Sequence, residues 1–145
     1  MRSRLSLLGF LAAVAGIVGL LLRGDLLDAN PITIGLQAIA FGFMVWARMT
    51  FGLRSFHAAA TPTEGELVTR GPYALVRNPI YAAVILFVWA GAGAHPGIAS
   101  AALALAVAGG MLVRILAEER ELRERYREAY VEYCGRVKRL VPGVF

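Results

Sequence analysis

Gly71-Pro72-Tyr73-Ala74-Leu75-Val76-Arg77-Asn78-Pro79-Ile80-Tyr81 stands at the mouth of a long apolar run. A chain that enters a bilayer is ordinarily plain at that point. This one carries a turn signal at Gly71-Pro72, two tyrosines, a cation, an amide and a second proline. The residues ahead of the prolines, Gly71 and Asn78, are pushed out of the helical region, and Pro79 suits a first helical turn. The stretch therefore reads as a pre-shaped polar loop capping a membrane helix. Irregular backbone at that depth is tolerated only where protein buries it or a wet cavity adjoins it, so the loop is a candidate site. The plainer alternative is an ordinary helix start with interfacial Tyr and Arg anchors.

Outward from this loop the chain is overwhelmingly apolar. Of 145 residues, 58% are hydrophobic and 17% charged, with a mean hydropathy of +0.62. A soluble domain of this length could not bury so much apolar side chain, so the class is all-α integral membrane protein in a single domain. Four runs are candidates for spans, at about residues 5–22, 32–51, 79–94 and 98–117. The first has a cleavage-like Ala13-Val14-Ala15, but the apolar run continues past it, so it reads as a retained span rather than a leader. The third is short unless Leu75 and Val76 lengthen it. The fourth is crowded with Ala and Gly, which let helices approach closely in lipid. His95-Pro96-Gly97 makes the turn between the last two. The polar connection from Gly52 to Asn78 includes His57, Glu64, Glu66 and Arg70, and its length and destination favour a functional role.

Past Ala117 the character changes to dense charge. Leu122, Tyr126, Tyr130, Tyr133 and Val137 recur every three or four residues, which predicts an amphipathic tail helix over about 118–140, ended by Pro142-Gly143. The pairs Glu119–Arg123, Glu121–Arg125 and Glu132–Arg136 are spaced for support along it. Cys134 is the only cysteine, which excludes an internal disulfide and a cysteine-cluster zinc site, and no metal site is expected. The net charge of +5 does not point to nucleic acid, because the basic residues flank apolar spans and suit an anionic membrane surface. With Arg48 and Arg114, at span ends, counted with the adjoining loops, two cations precede the first span, one follows it, four lie between the second and third, none between the third and fourth, and eight follow. That alternation puts both termini in the cytoplasm. The proline-flanked loop and the start of the tail then share one membrane face. Arg114 and Glu118, four residues apart, share one side of a helix at the boundary. An ionisable residue so near hydrocarbon is a functional candidate, although an anchoring salt bridge would look the same in sequence.

Gly-Pro-Tyr-x-x-Val-Arg-Asn-Pro-x-Tyr, a helical hairpin, then Glu118-Glu119 followed by Tyr126-x-x-x-Tyr130-x-x-Tyr133 and a terminal Pro resembles the isoprenylcysteine carboxyl methyltransferase and phospholipid N-methyltransferase superfamily. The resemblance runs from about Gly65 to Pro142; the first two spans share only their apolarity. It implies an integral-membrane enzyme with S-adenosyl-L-methionine as cofactor, bound by the C-terminal half. It further implies that Leu67, Val68, Tyr73, Asn78 and Tyr81 line the cofactor pocket, that Arg77 and Pro79 shape it, and that Glu118 contacts the cofactor. Arg114 falls where carboxyl-methylating members hold their substrate. Two departures stand out. Many relatives have His at the position of Asn78, and many have Phe-Gly at the position of Tyr126-Arg127.

The physical reading agrees with the resemblance. A zwitterionic cofactor arrives from the cytosol and a lipophilic or membrane-resident acceptor, a lipid or another lipophilic small molecule, arrives sideways from the bilayer, so a boundary site serves both. In-line methyl transfer is helped chiefly by proximity, orientation and removal of water. A carboxylate acceptor needs no general base; a thiol or amine does, with Glu119 or His57 as candidates. The soluble type of methyltransferase is excluded because no strand pattern precedes a glycine-rich loop. Two rivals remain: a small four-span transporter, which predicts a carboxylate near mid-span, and a non-catalytic membrane accessory protein, which predicts no saturable cofactor binding.

Overall fold

A computed structural model describes residues 2–52 and 67–145; His57, Glu64 and Glu66 fall outside them. The described chain is helical: α1 (Arg2–Arg23), α2 (Pro31–Phe51), α3 (Pro79–Ala94) and α4 (Ile98–Arg136), with a 3-10 turn at Gly71–Ala74. Packing runs α1 on α4, α4 on α3, and α3 on α2, with the 3-10 turn resting on α2.

Small residues on α1 set the first of these contacts. Ser6, Gly9, Ala13, Gly16 and Leu20 are its buried positions, spaced three or four apart, while the remaining faces present Leu, Val and Phe outward. A Cβ added to Gly9 would stand 2.7 Å from the Gly110 carbonyl oxygen, and one on Gly110 would stand 2.3 Å from that of Gly9. Between apolar helices in lipid the gain is van der Waals contact, which such close approach maximises.

The end of the bundle away from the proline-flanked loop is stapled by polar contacts. Gln37 Nε2 donates to the Leu26 carbonyl at 2.7 Å and to that of Phe87 at 3.3 Å. Ser100 Oγ donates to Asp25 Oδ2 at 2.6 Å, and Arg23 Nε reaches the same oxygen at 2.8 Å. Buried polar groups need such partners, and here they fix the α1–α2 connector against α3 and α4.

Three helices, α1, α2 and α4, are long and apolar enough to cross a membrane. The third helix has 16 residues. At 1.5 Å per residue that is about 24 Å, less than the ~30 Å of a hydrocarbon core. Leu75 and Val76 do not extend it: Leu75 closes the 3-10 turn and Val76 bridges to Lys138.

The expected fourth span and tail helix form one 39-residue helix, broken only at Arg127, whose φ of 45° and ψ of −116° are non-helical. Before the Arg127 break the buried residues of α4 are Ser100, Ala104, Val107, Gly110, Met111, Ile115 and Glu119, so the packed seam of the apolar part continues straight to a carboxylate; Tyr130 and Tyr133 are buried beyond the break. The helix stops at Arg136, earlier than the Pro142-Gly143 signal suggested. Residues 137–139 turn extended and lie parallel to 76–78, with Arg77 N donating to the Lys138 carbonyl at 2.8 Å and Asn78 N to that of Arg139 at 3.1 Å.

Candidate active site where α3 meets α4

The proline-flanked loop is held by its backbone before its side chains act. Gly71 has φ +60°, and a Cβ there would stand 2.8 Å from Thr50 Oγ1, so both conformation and space call for glycine. Pro72 and Tyr73 are buried behind it. The Tyr73 ring lies 5.8 Å from that of Phe51, and its carbonyl accepts a hydrogen bond from Tyr133 Oη at 2.5 Å. Burial pushes the Tyr73 phenol up to about 12, so it stays protonated. Leu67 and Val68 are half-buried on the approach to the loop. Asn78 occupies the cap position of α3 and Pro79 its first turn, but the Asn78 side chain does not cap the helix.

That side chain belongs instead to a knot around Glu119. Asn78 Nδ2 donates to Glu119 Oε1 at 3.0 Å, Arg77 Nε to the same oxygen at 3.1 Å, and Arg139 Nε and Nη2 to Oε2 at 3.0 and 2.9 Å. Arg77 also donates to the carbonyls of Cys134 and Val137, the last of α4. Glu119 is 4% exposed. Burial alone would raise its pKa, but the hydrogen bonds from Arg139, Arg77 and Asn78 outweigh it and hold the carboxyl below the usual range. The expected Glu119–Arg123 pair does not form, because Glu119 faces inward and Arg123 is exposed. The Glu132–Arg136 pair does form, at 3.5 Å.

One residue earlier, and about 100° round the helix, Glu118 joins a second cluster. Its Oε1 accepts from Tyr81 Oη and faces Arg114 Nη2 at 3.6 Å. Arg114 Nε donates to Tyr81 Oη at 3.2 Å, and its guanidinium lies 5.1 Å above the ring of Phe10 in α1. Both Glu118 contacts fall on Oε1. Residues 98–117 are the apolar part of α4 and Glu118 is the first residue past it. Burial pushes the Glu118 carboxyl up, against the opposing pull of the Tyr81 hydrogen bond and the Arg114 charge.

The structure thus joins loop and acidic helix end, but in two groups: Arg77, Asn78 and Glu119 in one, Arg114, Tyr81 and Glu118 in the other. Tyr73 and Pro79 pack beneath them. Two participants escaped the sequence reading. Arg139 lies past the observed helix end, within the stretch the sequence pattern reads as continuing helix, and Phe10 sits in a span whose partner helix the sequence does not identify. Beside the knot, the Tyr130 hydroxyl is buried without a hydrogen-bond partner among the described residues.

Residues 30–129, well over half of the chain, match the family model described as phospholipid methyltransferase. The chain belongs to the phospholipid methyltransferase family. Searches of curated proteins and of solved structures found no match. The family segment takes in α2, which the motif resemblance left aside, and stops before Tyr130, Tyr133 and Arg139. It contains both Glu118 and Glu119, the whole proline-flanked loop and the Arg127 break. In this phospholipid methyltransferase family member, non-helical backbone therefore falls at the position where the motif resemblance has glycine in many relatives.

Proposed function

We propose that the protein is an S-adenosyl-L-methionine-dependent methyltransferase acting at the cytoplasmic membrane face on a lipophilic acceptor. The acceptor is an isoprenylcysteine-carboxylate-like group or a lipid headgroup. The observation that carries this reading is the Tyr81–Glu118–Arg114 cluster at the end of the apolar part of α4, whose contacts fall on one Glu118 oxygen. The bound cofactor would supply a methyl group on a sulfonium cation. The donor set suits it: Glu118 offers a carboxylate to positive charge, and Tyr81 and Arg114 fix that carboxylate in place. Tyr81 holds Glu118 in place, Arg114 offers its guanidinium to an anionic group of the acceptor, and Leu67, Val68, Tyr73 and Pro79 form the surrounding wall.

Glu119, which the sequence offered as a possible base, is in this reading an anchor. Three donor side chains occupy its two oxygens, so at neutral pH it has neither the basicity nor a free lone pair for proton abstraction. An acceptor that is already an anion needs no such base, and Arg114 favours one. Catalysis then rests on orientation and on exclusion of water at the boundary. The distribution of Lys and Arg supports four crossings with both termini cytoplasmic, and the reading takes the membrane to be a prokaryotic inner membrane. A proton-coupled transporter fits less well, since α1, α2, α3 and the apolar part of α4 contain no Asp or Glu.

Purified protein incubated with radiolabelled S-adenosylmethionine and a native membrane-lipid extract is expected to put label into the organic phase. Absence of saturable cofactor binding by calorimetry would overturn the reading in favour of an accessory protein.

A further inference from the structure

Arg139 reaches Asn78 by three routes. Its carbonyl accepts from Asn78 N at 3.1 Å and from Asn78 Nδ2 at 3.3 Å, and its guanidinium holds the same Glu119 that Asn78 Nδ2 contacts. Asn78 in turn sets the start of α3, whose first turn carries Tyr81 to Glu118. Arg139 is therefore linked to the Glu118 cluster without touching it. The other cation on Glu119, Arg77, braces the same connection by capping the carbonyls at the end of α4. The outer face of the Arg139 guanidinium is covered by the Phe145 ring at 5.0 Å, and its side chain is 23% exposed against 5% for Glu119. The 137–139 segment is thus a strap laid over the proline-flanked loop, joined to it by hydrogen bonds to its carbonyls and, through the Arg139 side chain, by the Glu119 carboxylate.

We propose that Arg139, beyond the family-matched segment, is a positioning residue that fixes the Arg77-Asn78-Pro79 corner through Glu119 and thereby sets cofactor affinity. A clamp that only added stability would leave the loop geometry, and hence the cofactor affinity, unchanged in the fraction of molecules that stay folded. The role of Arg139 in affinity rests on the methyltransferase reading; its hold on the loop does not.

The full chain in lipid nanodiscs provides the test, comparing Arg139→Ala, Arg139→Lys and the unaltered protein. Two quantities are read: hydrogen exchange at the Arg77 and Asn78 amides, and the Kd for S-adenosylhomocysteine. Arg139→Ala is expected to speed exchange at both amides and to raise the Kd about tenfold, the order expected for a lost charge-assisted hydrogen bond. Arg139→Lys, which keeps the charge, should restore most of each effect. Ser100→Ala removes the hydrogen bond to Asp25 at the far end of the bundle and serves as a destabilised control whose Kd stays put. Unchanged exchange at Arg77 and Asn78 in Arg139→Ala overturns the proposal. So does faster exchange with an unchanged Kd, or a Kd that rises equally in Ser100→Ala. If the unaltered protein binds no analogue, the methyltransferase reading and the affinity role of Arg139 both fail. Slow exchange that Arg139→Ala accelerates would then uphold only its hold on the loop.

Discussion

Glu118 and Glu119 are adjacent and chemically identical, yet they lie in regions built on different principles. Around Glu119 both oxygens are spoken for, and the partners come from two separate parts of the chain, the proline-flanked loop and the strap. Around Glu118 the partners are Tyr81 and Arg114, both on the same oxygen, and the cluster sits at the edge of the apolar span. Saturation marks a carboxylate that holds a fold together, and partners gathered on one oxygen mark one that can meet a ligand. A helix turn of about 100° per residue is enough to separate the two roles.

The largest effect that would test this division is on Glu119→Ala. It leaves Arg77, 9% exposed, and Arg139 without their counter-charge. Uncompensated buried charge costs about 3–5 kcal/mol, so chemical denaturation in detergent should show a loss of that order. A loss under about 1 kcal/mol, the level of an exposed ion pair, would erase the distinction between the two carboxylates. Glu118→Gln should do the reverse. Its unfolding free energy is expected to stay within about 1 kcal/mol of the unaltered protein, while methyl transfer falls about a hundredfold, the scale for removing one electrostatic contact from a reacting site. Activity at the original level would remove Glu118 from the site.

Acid titration separates the pair by sign. The Glu119 carboxyl is held low, so its contribution is complete above the ordinary value near 4.5 and is lost as pH falls through its folded value. Glu119→Gln should therefore flatten the acid limb of a stability-against-pH curve. The Glu118 carboxyl is pushed up, so its contribution is present below about 4.5 and is lost as pH rises through its folded value. Glu118→Gln should be modestly the more stable protein at neutral pH, and a drop in its melting temperature there would contradict the assigned direction.

The smallest effect concerns the bend that returns the tail to the Glu119 knot. Arg127 is the one non-glycine residue with positive φ among those described, a conformation that costs a side-chain-bearing residue of order 1 kcal/mol or more and glycine almost nothing. Arg127→Gly is expected to stabilise the protein by about 1 kcal/mol, read as a higher melting temperature, with methyl transfer within twofold.

The helical class, the three long apolar helices and the meeting of loop and acidic helix end were legible in the sequence. Hydrophobic run length and prolines are local signals that survive folding, while i, i+4 spacing holds for Arg114–Glu118 and Glu132–Arg136 and fails for Glu119–Arg123. What could not be read was how two neighbouring glutamates divide their partners. That depends on the rotation of α4 against α3, which is set by the buried seam from Ser100 to Ile115 and reaches Glu119 as its last member. The strap was also illegible: Val137, Lys138 and Arg139 continue a helical-looking pattern, and only the parallel pairing with Val76, Arg77 and Asn78 pulls them out of it. The glycine-for-Arg127 departure was visible, but its meaning as a backbone break required φ.

The glycine seam between α1 and α4 has a consequence for biosynthesis. Gly16 packs against Leu103 and Val107, residues that leave the ribosome roughly ninety positions later, several seconds at ~5–20 residues per second. During that interval the first helix lacks the α4 residues that close this seam. Completion of the last helix therefore does two jobs at once: it brings both glutamates to the end of the apolar run and covers the earliest-made surface of the protein.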